Sequence, residues 1–88
     1  MQEQEYRRIE GYMKACMTDA AHDREHVYRV LRAALKIADT EPEADRDILT
    51  AACLLHDIGR EKQYADPKVC HAEAGAEMAR RFLSELGW

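Results

Sequence analysis

From Ile9 to Leu86 the apolar residues of this chain return every three or four positions, and no stretch alternates at period two. Spacings of three and four line one stripe of an α-helix, whereas a half-buried strand needs alternation. The chain is therefore predicted to be all-α, an irregular bundle of about four helices. Ile9, Met13, Cys16, Met17 and Ala20 mark the stripe of the first. A second, from about Asp23 to Asp39, carries Val27, Val30, Leu31, Ala34 and Ala38. Glu41-Pro42 interrupts the pattern, and proline suits the first turn of a third helix. On that helix Leu49, Ala52, Cys53 and His56 share a face, with Gly59 as its natural stop. Residues 60–70, REKQYADPKVC, read as a polar connection with a turn at Asp66-Pro67. The fourth helix has the cleanest period, through Ala72, Gly75, Ala76, Ala79, Phe82, Leu83 and Leu86.

A chain of 88 residues forms one domain. Its 13 basic and 17 acidic residues give a net charge of −4, and there is no basic block. A nucleic-acid polymer is therefore not the expected partner. The acidic balance does not exclude a phosphorylated substrate, because a bound divalent cation inverts the local field. With neither a long apolar span nor a signal-peptide pattern at MQEQEYRR, a cytoplasmic location and no membrane partner are expected. The three cysteines are widely spaced with no C-x-x-C pair. Cys16 and Cys53 fall on apolar faces and read as reduced, buried thiols.

The run AACLLHDIGR, residues 51–60, is where chemistry concentrates. An imidazole and a carboxylate at the end of an apolar helix need partners, and both are good ligands for a first-row metal. His56 shares the stripe of Leu49 and Cys53 and is predicted to point inward. His26 lies four residues before Val30, at the edge of the second helix's apolar face, and His71 leads into Gly75 and Phe82. These segments are expected to converge on one metal site. His22 reads as a polar residue at a helix N-terminus, with Asp23 beside it as a candidate to orient His26. Cys70 beside His71 is a weak signal for a soft ligand.

The segments HDREHVYRVLRAALKIA, AACLLHDIGR and HAEAGAEMARRFL resemble, in order and spacing, the first half of the HD-domain metal-dependent phosphohydrolases, across residues 22–83. Stand-alone bacterial members, some similar to nucleotide pyrophosphohydrolases, are the nearest in pattern. The resemblance implies that His26, His56 and Asp57 are metal ligands and that Asp57 bridges two ions in binuclear members. It also places His71 where some members bring a further histidine to the metal. The family completes its ligand set with a later aspartate, and this sequence has no Asp beyond Asp66. The expectation is thus a single, partial HD domain over residues 1–88, truncated or cut from a longer protein. Glu73, Glu77 or a partner chain are the alternative sources of the missing carboxylate.

The activity so implied is hydrolysis of a phosphate ester or nucleotide phosphoanhydride by a metal-activated water, on a small phosphorylated substrate, with Asp57 in the catalytic centre. Arg60 and Lys62 directly follow the motif and are the first candidates for phosphate contact, with Arg29 a weaker one. Imidazole and carboxylate together suit Mn, Fe, Co, Ni or Zn better than Mg alone. The alternative is an HD-fold helical module without catalysis, self-associating as a homodimer through Phe82, Leu83 and Leu86.

Overall fold

The computed structural model describes residues 1–18 and 21–88, leaving aside the side chains of Ala21 and His22. The stripe position expected at Ala20 and the role expected for His22 lie outside those residues. Among the described residues five helices follow one another: α1 (Glu3–Cys16), α2 (Ala21–Ala38), α3 (Arg46–Leu55), α4 (Arg60–Ala65) and α5 (His71–Glu85). There is no strand among the described residues, so the all-α expectation holds. The four expected helices are α1, α2, α3 and α5, and a short additional one, α4, occupies the first half of what read as a polar connection.

The core forms where α3 lies across α2 and α1. Ile9, Met13 and Met17 come from α1 and its end, Val27 and Leu31 from α2, and Ala51, Leu54, Leu55 and Ile58 from α3 and the turn after it. Ile9, Met13, Val27 and Leu54 lose all contact with solvent, each contributing about 1.5–3 kcal/mol of apolar transfer. No helix among the described residues is long and apolar enough to cross a membrane.

Three local expectations are corrected. Pro42 stands in a turn ahead of α3 and not in its first helical turn. The helix starts at Arg46 because the Asp45 carboxylate accepts from the backbone N–H groups of Asp47 and Ile48, at 3.0 and 3.1 Å. That satisfies two donors that a helix N-terminus leaves orphaned.

Gly59, secondly, is not the stop of α3. The helix ends at Leu55, and Gly59 has φ −84° and ψ −5°, an ordinary right-handed conformation open to any residue. Turn bonds from Ile58 N–H to the Leu55 carbonyl and from Arg60 N–H to the Asp57 carbonyl carry the chain onward into α4. The glycine is needed for space. A Cβ there would fall on the His71 carbonyl oxygen and stand 2.5 Å from the Gly75 nitrogen, so α5 presses its backbone directly on the turn.

Thirdly, the buried stripe of α3 is rotated from the expected one. Thr50, Ala51, Cys53, Leu54 and Leu55 are buried, whereas Ala52 and His56 are exposed. Leu54 and Leu55 turn toward α1 and α2, and the rotation carries His56 outward.

α5 packs on the core only partly, through Met78, Ala79, Phe82 and Leu83. Gly75 is its one buried residue among those described. Toward the C-terminus Phe82 stacks on Tyr12 with ring centroids 4.1 Å apart and planes 5° from parallel. The helix closes with Gly87 at φ +96°. Gly87 N–H donates to the Ser84 carbonyl and Trp88 N–H to that of Leu83, the double bond pattern of a left-handed cap that glycine adopts without strain. Between these attachments, α3 and α5 border an apolar groove of about 470 Å³, lined by Ile48, Ala52, His56, Ala76, Ala79 and Trp88 among others.

Candidate metal centre

His26 sits on α2 immediately before the fully buried Val27, which fixes where its ring emerges. His56 is the C-cap residue of α3 and Asp57 opens the turn to α4. One ligand atom from each of His26, His56 and Asp57 falls within 4.8 Å of the others, a set able to hold one metal ion. The two imidazoles meet edge to face, centroids 5.8 Å apart. Both histidines are exposed, while Asp57 is 6% exposed. The cluster is therefore a surface site with a buried carboxylate floor, and His56 faces solvent where an inward orientation was expected.

The hydrogen bonds around His56 limit its chemistry. Nδ1 lies 2.6 Å from the Cys53 carbonyl oxygen, which can only accept, so Nδ1 carries the proton. That leaves a lone pair on Nε2 as the ligand atom, the arrangement that metal-bound histidines ordinarily show. Nε2 in turn stands 3.3 Å from Asp57 Oδ2. A lone pair facing a carboxylate oxygen needs positive charge between them, either a second ring proton or a cation. The other carboxylate oxygen, Oδ1, accepts from Arg60 Nε at 3.1 Å. Asp57 is thus engaged on both oxygens, as a buried carboxylate must be.

His71 is outside this group. It opens α5 with its Nδ1 2.6 Å from Gln63 Oε1 on α4. Lys62 is exposed on α4 and Arg29 on α2. Cys70 is exposed and precedes α5 without joining the cluster. Glu77 is committed elsewhere: Arg80 and Arg81 both donate to it, and their hydrogen bonds lower its pKa to about 2. Burial raises the thiol pKa of Cys16 and Cys53, in keeping with unreactive structural cysteines.

Sequence reasoning missed Gln63 and the role of the Cys53 carbonyl. The second had a signal, since a histidine at a helix C-cap often bonds a carbonyl of the last turn. Gln63 had none, because its link to His71 spans eight positions and depends on how α4 meets α5.

Over 42 residues, 48% of its length, the chain is 45% identical to the 3'-5' exoribonuclease YhaM of Bacillus subtilis (strain 168). Over 56 residues, 64% of the chain, it is 43% identical to the tRNA (cytidine(56)-2'-O)-methyltransferase of Picrophilus torridus. The matched segments make up only 13% and 15% of those two proteins. No solved structure matches the chain. The family model described as HD domain matches residues 24–88, which include His26, His56, Asp57 and His71. The chain belongs to the HD-domain family.

Proposed function

We propose that this chain carries the metal-binding part of a metal-dependent phosphohydrolase, with His26, His56 and Asp57 as ligands. What carries the reading is the convergence of those three donors within 4.8 Å in a member of the HD-domain family. The donor set fits a divalent transition ion: two imidazoles and one carboxylate, with His56 Nδ1–H held by a carbonyl so that Nε2 is available. When bound, such an ion supplies Lewis acidity toward a phosphate and lowers the pKa of water.

The remaining roles belong to the chain's own side chains. Arg60, 41% exposed at the start of α4, and the exposed Lys62 supply positive charge to phosphate oxygens. Gln63 holds the His71 ring and leaves its Nε2 for a proton or a further ligand bond. The proposed substrate is a small phosphorylated compound, most simply a nucleotide. A second reading, the phosphodiester of an RNA end, is favoured by the names of two relatives that act on RNA. It revises the expectation that nucleic acid plays no part.

Elemental analysis of protein incubated with Mn, Fe, Co, Ni, Zn or Mg salts and then desalted is the direct test. About one ion per chain, lost in Asp57→Ala and His56→Ala, is the expected result. Phosphate release from a panel of nucleotides and a short oligoribonucleotide then separates the two substrate readings. Metal held without turnover on any of them would favour the non-catalytic module.

A further inference from the structure

Arg60 is placed where it can do more than bind phosphate. Its Nε donates to Asp57 Oδ1 at 3.1 Å, while Asp57 Oδ2 faces His56 Nε2 at 3.3 Å. The carboxylate is 9% exposed and the arginine 41% exposed. A cation entering beside Oδ2 and Nε2 therefore arrives one carboxylate width from a fixed guanidinium charge. Two positive groups sharing one buried carboxylate oppose each other. The arginine itself is held only at its inner end. It is the first residue of a short helix whose N-cap is Gly59, and its exposed side chain is able to rotate toward an anion arriving from solvent.

We infer that Arg60 is a charge counterweight to the metal centre: seated on Asp57 it weakens the binding of a divalent cation, and an incoming phosphate relieves that opposition by drawing the guanidinium away. Metal and phosphate then bind cooperatively through one side chain, and by linkage each raises the affinity for the other by the same factor. The inference rests on the reading of His26, His56 and Asp57 as a metal site. It opposes the simpler role in which Arg60 only orients the Asp57 carboxylate, since losing an orienting partner weakens metal affinity.

Two substitutions separate charge from orientation. Arg60→Gln keeps an N–H donor for Asp57 and removes the charge, and Arg60→Lys keeps the charge. The measurement is Mn affinity by calorimetry, with and without inorganic phosphate, on the full chain, with folding checked by circular dichroism. Arg60→Gln is expected to bind Mn about tenfold more tightly than the parent without phosphate, within the usual range of coupling between sites. Phosphate should then tighten Mn binding by about tenfold less in Arg60→Gln than in the parent. Arg60→Lys should stay close to the parent in both. Unchanged or weaker Mn binding by Arg60→Gln overturns the counterweight. So does an equal phosphate effect in Arg60→Gln and the parent. If the parent binds no Mn under either condition, the metal-site reading itself falls, a result distinct from these two.

Discussion

α3 and α5 are both amphipathic, yet they end in opposite conditions. The apolar face of α3 is buried under α1 and α2, with Leu54 fully inaccessible and Ala51 and Leu55 nearly so. α5 has the more regular stripe, and Ala72 and Ala76 on it are exposed while Ala79 and Leu83 are only half-buried. Periodicity states which face of a helix is apolar; whether another element covers that face depends on the rest of the fold. α5 is held by the Gly59–Gly75 backbone approach, the Tyr12–Phe82 stack and the partial packing of Met78 and Ala79 on the core. The candidate metal cluster is rooted on α2 and on the turn that leaves α3, with only its carboxylate buried.

The largest test of this contrast sets Leu54→Ala against Ile48→Ala. Leu54 fills the core, and truncating it should cost about 2–5 kcal/mol in urea unfolding. Ile48 is 58% exposed at the edge of the groove, and its truncation should change stability by no more than about 0.5 kcal/mol. Comparable losses from the two would mean that the groove is covered in solution.

Next comes the attachment of α5. Gly59→Ala forces a methyl group onto the backbone of α5 and should cost about 1–3 kcal/mol, the usual range for overpacking. Hydrogen exchange should show the loss chiefly in amides of α4 and α5, with those of α3 protected as before. Gly11→Ala is the control, since nothing lies within 4 Å of a Cβ there. In that exposed helical position alanine should stabilise by about 0.5–1 kcal/mol.

A smaller effect is expected at the start of α3. Asp45→Ala removes the side-chain acceptor for two backbone N–H groups and should cost about 1 kcal/mol. Calorimetric unfolding should register it without a change in metal affinity, because the cap stands at the far end of α3 from His56.

The smallest concerns the exposed side of α5. Hydrogen bonds from Arg80 and Arg81 lower the Glu77 pKa from 4.5 to about 2. A depressed folded-state pKa means stabilisation that is present above pH 4.5 and lost as pH falls through about 2. The group is fully exposed, so salt screens the benefit. A carboxyl carbon titration should find the Glu77 midpoint near 2. A midpoint in the ordinary glutamate range would remove both arginines from this carboxylate.

Much of the site was legible because it is local. His56 and Asp57 are adjacent, and Arg60 follows Asp57 by three positions across a turn closed by its own N–H on the Asp57 carbonyl. The missed points are those where two segments must meet. The small volume of Gly59 reads as a helix stop until Gly75 is seen against it. Residues 60–65 read as loop because a short polar helix has no apolar stripe; its contacts with α5 and the bond from Thr18 to Glu61 accompany it in the fold. His56 appeared inward because its stripe was counted from Leu49, whereas the face that packs on α1 and α2 runs through Ala51, Leu54 and Leu55.

Spacing along the chain was enough to establish that it is all-helical, which helices are amphipathic, and that it resembles the HD-domain family. Those properties follow from spacing along one chain and from side-chain chemistry, neither of which needs a second segment. Only the tertiary structure decided that His26 reaches the turn after α3 and that Arg60 rests on Asp57 while Gln63 takes His71. It also decided that α5 leaves its apolar stripe beside an open groove. Each depends on the angle and distance at which helices cross, and those are set by the packing of bulky side chains and by the one place where two glycines allow backbones to touch.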